Sequence, residues 1–118
     1  MQTIVDDLAG TLVGPVSRVV GAGGKRLRPA LTLAVGALGE LPAQAAGVLD
    51  RAAAVELLHC ATLIHDDLLD GAATRRGAPT VNVTEGMGCA VLSGDLLIAA
   101  AGVLAWTSSQ ALSPSRLR

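Results

Sequence analysis

The sequence predicts an all-α domain, and two observations carry that expectation. Apolar residues make up 51% of the 118 positions, yet there is no Phe or Tyr and only one Trp. Ala, Leu and Val supply the apolar content, and runs of aromatic and β-branched residues, which favour strands, are scarce. The second observation is punctuation: Gly and Pro fall at intervals that leave helix-length segments between them. A chain of this length is at most one domain, large enough to bury a core. Its 14 glycines would weaken helix interiors unless packing rescues them.

Residues 3–20 read as a first helix, interrupted near Gly14-Pro15 because proline removes an interior hydrogen bond. Gly21-Ala22-Gly23-Gly24 is a loop. A second helix starts at Pro29, whose fixed φ suits a first turn, and runs to about Gly39. Glu40-Leu41-Pro42 turns the chain into a long helix from about Ala43 to Asp70, with Gly71 as its terminator. Residues 71–80 form a polar loop, a short helical or irregular piece follows, and an apolar helix runs from about Cys89 to Trp106. The organisation expected is a helical domain over 1–106 and a disordered Ser-, Pro- and Arg-containing tail over 107–118.

Nine basic and ten acidic residues give a net charge of −1, so nucleic acid is not an expected partner. Five of the nine basic residues nevertheless fall in two clusters, Lys25, Arg26 and Arg28, then Arg75 and Arg76. Cys60 and Cys89 lack CxxC spacing and read as reduced core thiols of a cytoplasmic protein. Asp6 and Asp7 near the start argue against a secretory leader. Met87 to Trp106 is long enough to span a bilayer, but Asp95 and the glycines 86, 88, 94 and 102 weigh against it. A buried core helix is expected there, and no transmembrane segment.

Chemistry concentrates at the end of the long helix. His59, Asp66 and Asp70 lie within about 40° of one another on the helical wheel. Asp66 and Asp70 are a like-charge pair one turn apart, repelling by roughly 3 kcal/mol at an effective dielectric near 20. The helix C-terminus adds further negative potential. A solvated acidic face is the bland explanation, but His59 and Thr62 set among Leu and Ala suit it poorly. A hard divalent cation carrying phosphate is the natural partner for such oxygens. Arg75 and Arg76 either neutralise the acids or grip that phosphate. Gly23-Gly24-Lys25-Arg26-Leu27-Arg28-Pro29 sets cations at a helix mouth, a second anion site. It is no P-loop, because Val19 replaces the first glycine and Arg26 the magnesium-binding hydroxyl. The three features together describe a metal-assisted diphosphate site.

GGKRLRP at 23–29, ELLHCATLIHDDLLD at 56–70, TRRG at 74–77, PTVN at 79–82 and AVLSGDLL at 90–97 resemble the polyprenyl synthetase family of trans-isoprenyl diphosphate synthases. The resemblance implies the N-terminal part of the isoprenoid synthase helical bundle, truncated, with Mg2+ held by Asp66, Asp67 and Asp70. It implies catalytic roles for Asp66, Asp70 and Arg75, the last on an allylic prenyl diphosphate. It assigns Lys25, Arg28, His59 and Arg76 to isopentenyl diphosphate. Ala61 and Thr62 stand where the family sets product length; the small Ala61 implies a product longer than farnesyl.

Departures accompany the resemblance. Gly71 and Ala73 stand where the family commonly has acids. Members are more than twice as long and carry a second aspartate-rich motif, whereas no acid follows Asp95 here. The expectation is an opening portion of such an enzyme, joined to an unrelated ending and not competent alone. Exposed apolar faces would then demand a homo- or hetero-oligomeric partner, or mark a non-catalytic subunit. A metal phosphohydrolase of the HD type is a lesser alternative, since His59 and His65 share one helix and supply too few dispersed ligands.

Overall fold

The structure, a computed structural model, describes residues 2–22, 24–38 and 45–111. It is all-α apart from one minimal hairpin: α1 Gln2–Gly21, α2 Leu27–Leu38, α3 Ala45–Asp70, β1 Thr74–Arg75, β2 Ala78–Pro79, α4 Val81–Thr84 and α5 Met87–Ala111. The expected break at Gly14-Pro15 does not occur, and α1 continues through Pro15. Pro15 is buried, so packing of its ring offsets part of the lost backbone bond. α2 begins two residues before Pro29, which still occupies the first turn, where no intrahelical N–H donor is needed. Gly39, the turn at Glu40-Leu41-Pro42, and Ala43 and Gln44 lie outside the described residues.

α3 ends where Gly71 predicts. Gly71 takes φ +63°, and its N–H reaches Leu68 O at 3.3 Å while the Ala72 N–H reaches Asp67 O at 2.9 Å. That pair of bonds is a Schellman cap, which satisfies two terminal carbonyls and turns the chain back. The expected polar loop is then a hairpin, Thr74 opposite Pro79 and Arg75 opposite Ala78. Its two-residue turn, Arg76-Gly77, has φ +52° and +79°, the mirror-image geometry that fits the natural strand twist. Thr80 closes the loop by donating its hydroxyl to Ala72 O at 2.7 Å and its N–H to Ala73 O at 3.1 Å.

Residues 107–111, expected in a disordered tail, instead extend α5. Ser108 is buried, accepts from Arg51 Nε at 3.2 Å and donates to Ala105 O at 2.9 Å. The bond from Arg51 of α3 is the tertiary contact that ties this polar segment down. The remaining tail residues lie outside the described region. By length and composition α5 is also apolar enough to cross a bilayer, with mean hydropathy 1.9.

The chain forms two compact units, residues 1–23 with 59–97, and residues 24–58 with 98–118. In the first, Leu12, Cys60, Ala61, Ile64, Val81, Ala90 and Leu97 make the core. Ala61, Ala90 and Ser93 are fully buried, so α3 and α5 approach closely here through small residues. A Cβ at Gly94 would overlap the His65 imidazole, whose Nε2 donates to Val91 O at 3.1 Å and lies 3.7 Å from Asp95 Oδ1. Arg18 of α1 pairs with Glu85 after α4 at 2.5 Å and reaches Thr84 Oγ1 at 3.2 Å.

In the second unit, Ala52, Ala54 and Ala101 are buried, and Arg26 pairs with Glu56 at 2.6 Å. A Cβ at Gly36 would lie 2.6 Å from Val48 Cγ1, so α2 and α3 touch at this glycine. Leu27, Leu31, Val35 and Leu38 leave an apolar stripe of α2 exposed.

Two outcomes follow from this packing. Gly94→Ala drives a methyl into the His65 ring and should cost about 1–3 kcal/mol in denaturant unfolding, with most of it recovered in Gly94→Ala/His65→Ala. For Glu85, burial pushes the carboxyl up, but hydrogen bonds from Thr84 and Arg18 and the Arg18 charge outweigh it and hold the group below its ordinary 4.5. Its stabilisation is therefore complete above that value and is lost as pH falls through the lower folded value. Thermal unfolding followed from pH 6 to 3 should show a steeper acid loss for wild type than for Glu85→Gln.

Candidate functional site

The three acids at the end of α3 are not equivalent. Asp66 and Asp70 are exposed, whereas Asp67 is only 7% exposed. Asp67 meets Arg75 of β1 in a fork: Nε donates to Oδ2 at 2.9 Å and to Oδ1 at 3.1 Å, and Nη2 donates to Oδ1 at 2.7 Å. The Schellman cap and the hairpin make this possible, because they return the chain to the helix end within eight residues. The Asp67 hydrogen bonds push the Arg75 pKa above its ordinary value against the opposing effect of burial, with further attraction from the Asp67, Asp66 and Asp70 charges. Arg75 thus takes, toward Asp67, the neutralising role that was one of the two readings open from sequence.

Asp66 and Asp70 make no hydrogen bond or ion pair among the described residues, and no group of three His, Cys, Asp or Glu side chains converges there into a metal-binding cluster. Two free carboxylates one turn apart still suit Mg2+, which commonly takes one or two protein carboxylates and completes its shell with water and substrate phosphate. Asp67 suits it poorly, because both of its oxygens are engaged by Arg75.

His59 is half-buried and its carbonyl accepts from Thr62 Oγ1 at 2.7 Å. Arg76 is exposed at the hairpin turn. His59, the acids, Arg75 and Arg76 all belong to the first unit, while Lys25 and Arg28, both exposed, belong to the second. Of the two positions linked to product length, Ala61 is wholly buried and Thr62 is exposed. A cleft of about 720 Å3 in the first unit is lined by Arg18, Leu63, Ile64, Asp67, Arg75 and Val81 among others, and Ala61 does not open onto it.

Sequence reasoning missed the hairpin, the Arg18–Glu85 pair and the seating of His65 against Gly94. Arg76-Gly77 between two short extended pieces was the available signal for the hairpin. No local pattern announces the other two, since each joins residues far apart in sequence. His65, which an HD-type site would need as a ligand, spends its Nε2 on Val91 O.

The family model for polyprenyl synthetase matches residues 10–113. The match passes Trp106, so the segment read from sequence as an unrelated ending shares in the likeness as far as residue 113. Among curated proteins, the short chain isoprenyl diphosphate synthase of Methanothermobacter thermautotrophicus is 44% identical over 101 residues, covering 85% of this chain and 30% of the relative. The nonaprenyl diphosphate synthase of Mycobacterium tuberculosis is 47% identical over 83 residues, 70% of this chain and 24% of its own. Among solved structures, geranyltransferase from Legionella pneumophila aligns with TM-score 0.78 at 33% identity, over 88% of this chain and 36% of that one. An isoprenoid synthase family member from Thermotoga neapolitana aligns with TM-score 0.73 at 41% identity, over 80% and 37%. The chain therefore spans 30% or less of these two curated relatives and 36–37% of these two solved structures.

Arg76 holds a left-handed φ that costs a non-glycine residue on the order of 1 kcal/mol, and that Asn tolerates better. Arg76→Asn should therefore raise the unfolding midpoint in denaturant titration, while Gly77→Ala, at φ +79°, should lower it.

Proposed function

The chain belongs to the polyprenyl synthetase family, and from that membership we propose that it carries the allylic-diphosphate side of a Mg2+-dependent prenyl transfer site. The observation that carries this reading is the pair of free carboxylates, Asp66 and Asp70, beside a guanidinium already fixed by Asp67. A bound divalent cation would neutralise the diphosphate as it leaves. Asp66 and Asp70 offer it oxygens on one helix face, and Arg75 offers N–H donors to the same anion. The chemistry is the family's: the allylic C–O bond breaks with its electron pair going to pyrophosphate, the double bond of isopentenyl diphosphate attacks the allylic carbon, and a proton is lost. Positive charge arranged around the departing anion is the protein's contribution to that step.

For isopentenyl diphosphate we assign Lys25, Arg28, His59 and Arg76, an assignment supported by the GGKRLRP and TRRG motifs. Product length stays open between the short-chain and nonaprenyl relatives; Ala61 and Thr62 are the positions proposed to set it. These 118 residues contain no acid after Asp95, so they lack the second carboxylate cluster that the resemblance calls for. The proposal is that they bind allylic diphosphate but do not turn it over by themselves. The setting proposed is the cytoplasm, with Cys60 and Cys89 as thiols and α5 a core helix rather than a membrane span. A second reading, a non-catalytic subunit seated on a partner, is favoured by the exposed stripe Leu27, Leu31, Val35 and Leu38.

Isothermal calorimetry of the 118-residue chain with geranyl diphosphate should show binding that requires Mg2+. Asp66→Ala and Asp70→Ala should each weaken it by at least about tenfold, the loss expected when a metal-ligating group is removed. Binding that ignores Mg2+ or both substitutions overturns the reading, and sustained prenyl transfer by the isolated chain overturns the claim that it cannot act alone.

A further inference from the structure

We propose that Asp67 is a positioning residue for Arg75: its carboxylate holds the guanidinium in one orientation beside Asp66 and Asp70, the pair read above as holding the cation. The inference rests on the diphosphate reading above and deepens it. On the helical wheel Asp67 stands about 100° from Asp66 and about 60° from Asp70, which share a face. The structure uses that separation: Asp67 points inward and is buried, and the other two are exposed. Both Asp67 oxygens are taken by Arg75, Oδ1 by Nε and Nη2, and Oδ2 by Nε. A cation placed on Asp67 would have to displace this fork and leave Arg75 unpaired, which costs far more than leaving the fork in place.

The fork also decides which part of Arg75 remains usable. Nε and one edge of Nη2 face Asp67, while Nη1 has no hydrogen bond among the described residues and the side chain is 41% exposed. Arg75 therefore presents its outer edge, already oriented, to an anion beside Asp66 and Asp70. The main chain reinforces the clamp, because Asp67 O accepts from the Ala72 N–H in the cap that launches the hairpin. Asp67 thus fixes Arg75 through its side chain and fixes the segment carrying Arg75 through its backbone.

The test separates metal from anion. In Mn2+ titrations of the 118-residue chain followed by electron paramagnetic resonance, Asp66→Asn and Asp70→Asn should weaken binding of the metal alone, and Asp67→Asn should not. With inorganic pyrophosphate added, Asp67→Asn and Arg75→Gln should each lower the Mn2+-dependent pyrophosphate affinity by about tenfold, as loss of an outer-shell orienting group does, and the double variant should be no weaker than either single one. Loss of metal-alone binding in Asp67→Asn equal to that in Asp66→Asn, or losses that multiply in the double variant, overturns the proposal. A second measurement needs no ligand. The Arg75 Nε proton should exchange slowly by NMR relative to that of exposed Arg76, and this protection should vanish in Asp67→Asn; fast exchange in wild type also overturns the clamp. If wild type fails to bind pyrophosphate, the diphosphate reading falls while the exchange measurement still decides the role of Asp67.

Discussion

A carboxylate buried at the C-terminal end of a helix, with two more acids beside it, is the constraint on which the first unit depends. The helix end carries partial negative charge, and a desolvated anion there would be driven to neutralise or to expose itself. Asp67 does neither, because Arg75 meets it with a bidentate fork. The chain must therefore reverse at once and come back within eight residues. Gly71 at φ +63° supplies the reversal, Arg76-Gly77 supplies the hairpin turn, and Thr80 pins the returning strand to Ala72 and Ala73. With Asp67 buried and Arg75 partly exposed, the pair adds little net stability over an apolar replacement, but removing Arg75 would leave a buried carboxylate unpaired. Its value lies in fixing where Arg75 points.

That constraint explains an otherwise odd distribution of strain. Arg76 occupies a backbone conformation that Asn or Gly would hold more cheaply. An arginine kept at such a place trades turn stability for a cation at the tip of a short hairpin. Arg26, the other non-glycine residue with positive φ among the described residues, is likewise a cation, set between Lys25 and Arg28. It is paired to Glu56, so it shapes its turn while leaving its two neighbours exposed.

The sequence was most readable where chemistry is local. α2, α3 and the terminator Gly71 follow from apolar content, Pro29 and the left-handed preference of glycine at a helix end. The acids and arginines singled out this helix end by residue type alone. What escaped was set by contacts between distant residues. Pro15 stays in helix because it is buried, and residues 107–111 stay in helix because Ser108 finds Arg51 fifty-seven positions away. The two-residue strands are too short to show any period. The three acids look alike in sequence, and only the position of Arg75 distinguishes Asp67 from its neighbours.

The scarcity of aromatic residues has a structural counterpart at the same helix end. Ala61, Ala90, Ser93 and Gly94 are small and buried, so α3 and α5 come close enough for the His65 ring to occupy the space of the missing Gly94 Cβ. His65 immediately precedes Asp66. Its Nε2–H bond to Val91 O therefore fixes the rotation of α3 one residue before the Asp66 and Asp70 carboxylates. The site is thus oriented from two sides: His65 seats the helix against α5, and the Asp67–Arg75 fork seats the hairpin against the helix. Neither contact requires Asp66 or Asp70, which leaves both of those carboxylates free to bind a ligand.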